Sequence, residues 1–254
     1  MGKKPIVEIQ FADFIHSAFD QIVSEAAKAY YRSNGGWNVP LVIRAPWGAG
    51  VHGALYHSQS IESLFAHIPG LKVVVPSTPK DVVGLLNSAY NDPDPVLFLE
   101  HKKAYRLISG PIPEADFTVP IGKAEIVRPG KDLTIFTYGL HRHYALSAAE
   151  QLADLADIEV VDLRTISPLD RATIIDSATR CSRVLIVHED NISFGAGAEI
   201  AAIVSEHAFW ALDAPIKRLA TPDIPLLGFS SAIEKAVLLG AEEIMKAAKD
   251  LLEI

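Results

Sequence analysis

Short runs of valine, isoleucine and leucine recur along the chain, and segments with the apolar spacing of amphipathic helices lie between them. The runs do not alternate polar with apolar residues, which is typical of strands covered on both faces of a sheet. Predicted strands cover residues 6–9, 41–44, 71–75, 96–99, 133–138, 159–163, 184–187 and 216–220. Predicted helices cover residues 13–32, 79–91, 143–153, 170–180, 196–209 and 232–252.

One helix start is well marked, because Thr78 can cap the helix and Pro79 can occupy its first turn. Strand–helix alternation of this kind predicts an α/β fold with mainly parallel, doubly wound sheets.

The alternation lapses between residues 105 and 130, where prolines fall at Pro111, Pro113, Pro120 and Pro129. A proline-rich segment without apolar periodicity is typical of a connector that runs over the surface. We therefore predict two domains, residues 1–107 and residues 131–254, joined by a linker at residues 108–130.

Charge and cysteine content exclude several classes of protein. The 254 residues carry 23 Lys+Arg against 31 Asp+Glu, a formal net charge of −8, and contain no dense basic run. Nucleic acid and anionic membrane surfaces are therefore not expected as partners. No stretch approaches the ~18 consecutive apolar residues of a membrane span. The single Cys181 excludes an internal disulfide framework and fits a reducing compartment, so we expect a soluble, cytoplasmic protein.

Two patterns that suggest a ligand are poor matches. Residues 48–53 fit G-x-G-x-x-G, but no helix follows directly, and residues 70–75 lack the acidic residue expected about twenty positions later. The chain has nine histidines, yet no close pair of them has a carboxylate or cysteine partner at a spacing typical of zinc sites. We expect neither a dinucleotide site nor a zinc site.

The loop at residues 47–60 gathers the side chains best suited to chemistry. It combines glycines, two histidines, aromatic rings and hydroxyl groups after a predicted strand, and parallel sheets place their sites at the carboxyl ends of strands. A histidine in this loop could transfer protons near neutral pH. Ser58 is a poor nucleophile candidate, because no G-x-S-x-G turn surrounds it. From composition alone, a packed loop whose histidines cap backbone groups is the stronger interpretation, and both interpretations stay open at this point.

The loop sequence at residues 52–60, His-Gly-Ala-Leu-Tyr-His-Ser-Gln-Ser, resembles the beta subunits of thiamine-diphosphate-dependent 2-oxo acid dehydrogenases. The branched-chain type is the most similar, and the pyruvate type follows. The resemblance continues at residues 7–14, 18–22, 43–47, 65–74, 160–166 and 188–189, in register over nearly the whole chain. It implies a partial transketolase-type pyrimidine-binding domain, followed by a transketolase C-terminal-type α/β domain. The implied substrate is a branched-chain 2-oxo acid, with pyruvate or acetoin as alternatives.

The resemblance also implies a cofactor and partners. Thiamine diphosphate would lie between this pyrimidine-binding domain and an alpha subunit, in a heterotetramer of two alpha and two beta chains. The family's Gly-Asp-Gly motif for metal and diphosphate is absent from this sequence, so Mg²⁺ and the diphosphate would be held by the alpha subunit. After oxidative decarboxylation, the acyl group would pass to lipoamide on an acyltransferase core.

By position, His57 matches the family histidine that serves proton transfer or lipoyl acylation. Phe14 stands where the family commonly has tyrosine against the aminopyrimidine ring; stacking survives this change, but the hydroxyl hydrogen bond is lost. Gln10 occupies a neighbouring position on the cofactor side. The resemblance further implies a structural potassium ion, held partly by backbone carbonyls, near Leu41, Val42, Ala89, Asp92 and Asp94.

The start of the sequence departs from the family pattern. The family glutamate that hydrogen-bonds the pyrimidine ring lies upstream of Met1, and the first residues resemble an internal stretch of a full-length member. We therefore expect an N-terminally truncated beta subunit, from a fragment, a late start or a split gene, with little activity alone. The alternative is a noncatalytic assembly module that binds alpha chains or the acyltransferase core. A one-chain transketolase or deoxyxylulose-phosphate synthase is disfavoured, because the diphosphate domain is missing.

Overall fold

The chain folds into two five-stranded sheets with helices on their faces. The computed structural model describes residues 2–225 and 228–254. The strands are β1 (Ile6–Glu8), β2 (Val42–Trp47), β3 (Lys72–Val74), β4 (Val96–His101), β5 (Glu125–Arg128), β6 (Leu133–Thr137), β7 (Ile158–Asp162), β8 (Thr165–Ser167), β9 (Val184–Asn191) and β10 (Lys217–Thr221). The α-helices are α1 (Ala29–Arg32), α2 (Glu62–Ala66), α3 (Pro79–Asn91), α4 (Ala104–Leu107), α5 (Leu140–Gln151), α6 (Arg171–Cys181), α7 (Ala196–His207), α8 (Ser231–Val237) and α9 (Ala241–Leu252). Among the described helices, none combines the length and the apolar content that crossing a bilayer requires.

Both sheets are mainly parallel, and each has one antiparallel edge strand. The first sheet has the order β1-β2-β4-β3-β8, and the second has the order β10-β9-β6-β7-β5. Strand β8 runs antiparallel to β3, and β5 runs antiparallel to β7. The predicted α/β class with mainly parallel sheets is confirmed.

The second sheet has a separate apolar core on each face. Leu185 of β9 is buried with Ala148 of α5 and Ile244 of α9, whereas the next residue, Ile186, is buried with residues of α6 and α7. This alternation is expected for a strand buried on both sides. The core beneath α6 and α7 continues into the first sheet through Trp47, so the two sheets share one apolar interior.

The predicted helix at residues 13–32 is wrong as a single element. The segment forms a 3-10 helix at Ala12–Ala18, a π-helix at Gln21–Ala26 and then α1. Ala12 and Ile15 are both fully buried, and residues three apart share a face when a helix has three residues per turn. Burial of this face therefore fits the tighter winding.

The predicted helix at residues 232–252 is also divided. Helix α8 ends at Val237, and α9 begins at Ala241. The Glu243 side chain accepts the Gly240 N–H at 2.8 Å, which satisfies one of the free donors at the start of α9. Local capping at Gly240 thus competes with a continuous helix.

Strands β5 and β8 were not predicted. Strand β5 lies inside the predicted linker at residues 108–130, which is therefore not wholly a connector. Both strands are short edge strands of three or four residues, and such short pieces carry little periodicity of their own. Strand β8 follows β7 in sequence but pairs with β3 of the first sheet, with Val73 opposite Ser167. Sheet membership therefore does not follow chain order, and the domain limits at residues 107 and 131 stay a prediction.

Candidate functional site

The candidate site is a loop that follows β2 at the carboxyl edge of the first sheet. Gly48 and Gly50 both have positive φ, at 81° and 83°. The loop therefore leaves the strand through two residues in a backbone conformation that glycine adopts readily. The Gly48 N–H donates to the Gln59 carbonyl at 3.1 Å, which brings the two ends of the loop together. Between them, residues Ala54–Tyr56 form a 3-10 turn that ends at His57. The loop is therefore a closed, compact structure.

His57 lies against two phenylalanine rings. Its ring centroid is 4.5 Å from that of Phe11 and 5.5 Å from that of Phe14, and both ring pairs meet edge to face. Such geometry is favoured because the positive edge of one ring faces the negative face of the other. His57 is half-buried, and the Phe14 side chain is 45% exposed. Two residues selected from the sequence thus lie in contact and remain open to a ligand.

The other predicted cofactor-binding residue, Gln10, follows β1 and is exposed. It immediately precedes Phe11, which the sequence reasoning missed. The signal for Phe11 was its spacing of three from Phe14. Phe11 is the N-cap of the 3-10 helix at Ala12–Ala18, and the two ring centroids lie 5.8 Å apart.

A buried cation lies behind the Phe11 ring. Lys102 is 8% exposed, and its Nζ is 5.6 Å from the Phe11 ring centroid, within cation–π range. In the described part of the chain, this ammonium has no hydrogen-bond partner. Burial lowers the pKa of Lys102, against the attraction of Asp13 and Glu189. Phe11 thus lies near a buried lysine, whereas the neighbouring Phe14 ring is exposed.

Two carboxylates from the second half of the chain reach this loop. Glu189 of β9 accepts the Ala49 N–H at 2.6 Å and the Ser60 hydroxyl at 3.2 Å, and its other oxygen lies 2.8 Å from His101 Nε2. Burial alone would raise the pKa of Glu189, but the attraction of His101 and these hydrogen bonds lower it to about 2. This carboxylate is therefore ionised and holds both ends of the loop.

The second of these carboxylates belongs to Glu234 of α8. It accepts the His52 backbone N–H at 3.1 Å and pairs with His52 Nδ1 at 2.7 Å. Neither contact could be predicted from the sequence, because Glu189 and Glu234 lie more than a hundred residues beyond the loop. No local spacing links positions so far apart.

A cavity of about 1150 Å³ borders the loop, between the two halves of the chain. Ser58, Gln59 and Ser60 line it from the loop, and Glu189 and Asp190 line it from β9. Burial raises the pKa of Asp190. The residues immediately after His57 thus line this cavity, whereas Phe11, Phe14 and His57 do not.

Four of the five residues predicted to hold potassium are already paired within the protein. Lys72 Nζ lies 2.6 Å from Asp92 Oδ1 and 3.2 Å from Asp94 Oδ2. The carbonyls of Leu41 and Ala89 each accept a backbone N–H, from Val96 and Asp92 respectively. No group of three or more metal-binding side chains occurs among residues 2–225 and 228–254. A lysine ammonium occupies both carboxylates, so the potassium site stays a prediction that depends on backbone carbonyls such as that of Val42.

Comparison with known proteins identifies the fold and its relatives. Residues 1–108 match the family described as "Transketolase, pyrimidine binding domain", and residues 122–244 match "Transketolase, C-terminal domain". A solved structure described as "Split gene transketolase, inactive beta4 tetramer" superposes with a TM-score of 0.79 at 24% identity, covering 99% of this chain and 77% of the other. That likeness concerns the fold alone.

Curated relatives are more similar in sequence. The 2-oxoisovalerate dehydrogenase subunit beta of Bacillus subtilis is 54% identical over 253 residues, which is 99% of this chain and 77% of the relative. The pyruvate dehydrogenase E1 component subunit beta of the same organism is 44% identical over the same shares of both chains. The acetoin:2,6-dichlorophenolindophenol oxidoreductase subunit beta of Cupriavidus necator is 46% identical, over 98% of this chain and 73% of the relative. With both transketolase-type domains matched and identity this high over nearly its full length, the chain belongs to the family of 2-oxo acid dehydrogenase beta subunits.

Proposed function

We propose that this chain acts as the beta subunit of the decarboxylating component of a 2-oxo acid dehydrogenase, with a branched-chain 2-oxo acid as substrate. The observation that carries the proposal is the contact of His57 with the exposed ring of Phe14, in a chain 54% identical to a 2-oxoisovalerate dehydrogenase beta subunit. The lower identity to the pyruvate type, 44%, supports the choice of substrate.

The residues present fit the pyrimidine end of thiamine diphosphate. Phe14 leaves nearly half of its side chain exposed beside His57, and an exposed aromatic ring is a suitable contact for a planar heterocycle. Gln10, one position before Phe11, adds an exposed amide. The chain has no Gly-Asp-Gly motif for a metal-bound diphosphate. An alpha subunit would therefore supply that half of the site, together with Mg²⁺.

The cofactor, when bound, supplies the nucleophilic carbon and the electron sink for decarboxylation of a 2-oxo acid. The protein supplies orientation and proton handling. In our proposal, Phe11 and Phe14 hold the imidazole of His57 in one orientation, and a ring nitrogen of His57 exchanges a proton as the acyl group passes to a lipoyl group. The lipoyl group would be carried by an acyltransferase core.

The test is reductive acylation of a lipoyl domain by the chain combined with an alpha subunit of a 2-oxoisovalerate dehydrogenase, with 2-oxoisovalerate and pyruvate compared as substrates. His57→Ala should lower the acylation rate by about 10²- to 10⁴-fold, the range for loss of a proton-transfer group. Affinity for thiamine diphosphate should change little. His207→Ala, at an exposed histidine in α7, is the control and should leave the rate unchanged.

Three outcomes would contradict parts of this proposal. Full activity of His57→Ala would remove the assigned role of His57. A preference for pyruvate would replace the substrate while keeping the reaction. Binding to the alpha subunit without acylation, under conditions where the Bacillus subtilis beta subunit is active, would favour a noncatalytic assembly module.

A further inference from the structure

The Asp13 carboxylate ties two segments of the site together. Asp13 is 7% exposed and lies in the 3-10 helix at Ala12–Ala18. Its Oδ1 accepts two consecutive backbone N–H groups, those of Ser58 and Gln59, each at 3.1 Å. Hydrogen bonds from N–H groups to a buried carboxylate are about twice as strong as neutral ones.

These two N–H groups directly follow His57. The Ser58 nitrogen belongs to the peptide bond that begins at the His57 carbonyl carbon, so fixing its N–H fixes the plane of that peptide. His57 itself has φ −142° and ψ 22°, which is neither helical nor extended. Regular secondary structure therefore does not hold this peptide, and the Asp13 side chain does.

Asp13 also lies between the two rings that contact His57. Phe11 and Phe14 flank it in sequence and contact the imidazole at 4.5 Å and 5.5 Å. The short helix and its N-cap residue Phe11 thus hold the imidazole ring through two aromatic contacts and the adjoining backbone through one carboxylate oxygen. A shift of Asp13 relative to the loop would change the position of the ring relative to Phe11 and Phe14.

We propose that Asp13 is the positioning residue of His57, and that its hydrogen bonds to the Ser58 and Gln59 amides set the orientation in which the imidazole meets its substrate. This role depends on the proposed function of His57. In this proposal, Asp13 itself does not contact a reacting group. Misplacement of a reacting group by about 1 Å costs on the order of 10²-fold in rate, so loss of these two bonds should affect catalysis more than binding.

Three variants separate positioning from charge. Asp13→Asn keeps an oxygen acceptor of the same reach and removes the charge, and Asp13→Ala removes both. Asp20→Ala is the matched control, because Asp20 is an exposed carboxylate on the same segment whose side chain, among the described residues, accepts a hydrogen bond from Gln21 alone. Asp13→Leu fills the space of Asp13 without an acceptor and replaces Asp13→Ala if that variant is insoluble.

The first measurement is amide hydrogen exchange in the chain itself. Asp13→Ala should speed exchange at Ser58 and Gln59 by at least about tenfold, as expected when a protecting bond is lost and the loop opens locally. Asp13→Asn and Asp20→Ala should leave these two amides protected. Unchanged exchange in Asp13→Ala would overturn the proposal without any activity assay.

The second measurement is lipoyl acylation in the complex with the alpha subunit. Asp13→Ala should lower kcat by about 10- to 100-fold and change KM and cofactor affinity by less than about threefold, as for an interaction that matters in the transition state. Asp13→Asn should stay within about fivefold of the unaltered chain. Equal losses in Asp13→Asn and Asp13→Ala would show that charge, not positioning, matters.

A double variant distinguishes this proposal from the function on which it rests. If Asp13 acts through His57, then adding Asp13→Ala to His57→Ala should cause no further loss, because coupled residues are not additive. Multiplied losses would overturn the positioning role while leaving His57 in place. Full activity of His57→Ala alone would instead reject the proposed function.

Discussion

At the scale of single residues, Gly48 has little room for a side chain. Its φ is +81°, and an added Cβ would lie 2.4 Å from His101 Nε2 and 2.9 Å from Glu189 Oε1. Both side chains are buried and paired with each other, so neither can move without breaking that pair. The glycine therefore allows the loop to leave β2 directly against the buried pair of His101 and Glu189.

We expect Gly48→Ala to lower the free energy of unfolding by about 2–4 kcal/mol, from the sum of a left-handed alanine and an overpacked contact. Urea denaturation followed by circular dichroism measures this change. Gly110→Ala is the control, because its Cβ would lie 3.6 Å from Pro79, an ordinary contact. A change of less than about 1 kcal/mol is expected there. Equal stability of the two variants would show that the loop adapts to the extra methyl group.

Residue types near a motif could be selected from the sequence, but their partners could not. His57 and Phe14 were selected and lie in contact. Asp13 was overlooked, because a carboxylate that accepts backbone N–H groups from a loop more than forty residues away leaves no local pattern. The pairing of Lys72 with Asp92 was overlooked for the same reason. Composition shows that charges are present and does not show which of them meet.

At the scale of elements, capping decides which helices match their predicted limits. The helix predicted at residues 79–91 is confirmed as α3, and the Thr78 hydroxyl oxygen accepts the Asp81 N–H at 3.1 Å as predicted. Elements with an N-cap and proline at their start are specified locally. The segments at 13–32 and 232–252 have no such single start, and burial or the Gly240 cap divides them.

Thr78→Ala should therefore lower the free energy of unfolding by about 1 kcal/mol, through loss of one capping bond. Thr78→Ser, which keeps the hydroxyl group, should stay within a few tenths of a kcal/mol of the unaltered chain. Thr179→Ala, at an exposed position inside α6, controls for loss of a threonine elsewhere in a helix. If Thr78→Ser lost as much stability as Thr78→Ala, the methyl group and not the cap would be important.

At the scale of the whole molecule, the loop that carries His57 depends on both halves of the chain. Glu189 of β9 and Glu234 of α8 hold the loop, and β8 extends the first sheet. Apolar patterning predicted the two mainly parallel sheets, because the residues of each strand themselves show that the strand is buried on both faces. It could not predict how the sheets meet, since that depends on contacts between residues far apart in sequence.

The same buried interior gives the stability of the molecule a mixed dependence on pH. His188 is completely buried, and burial lowers its pKa from 6.5 to about 3. Below pH 6.5, His188 is therefore protonated in the unfolded chain but stays neutral in the folded chain. Because the unfolded chain binds more protons, this residue lowers the free energy of unfolding as the pH falls. Asp162 is also completely buried, and burial raises its pKa from 3.8 to about 7. As the pH falls from 7 towards 4, Asp162 becomes protonated in the folded chain before it does so in the unfolded chain. Asp162 therefore raises the free energy of unfolding over this pH range.

Single substitutions should separate these two opposing effects. Between pH 7 and pH 5, His188→Gln should lose about 1–2 kcal/mol less stability than the unaltered chain, because the variant has no imidazole to protonate on unfolding. Asp162→Asn should show the opposite change and lose more stability than the unaltered chain over the same interval, because it gains no proton on folding. The measurement is the free energy of unfolding from urea titrations at pH 7, 6 and 5, compared as slopes so that any uniform destabilisation cancels. Parallel curves for the unaltered chain and His188→Gln would show that His188 titrates normally in the folded protein, and hence that water reaches this part of the interior.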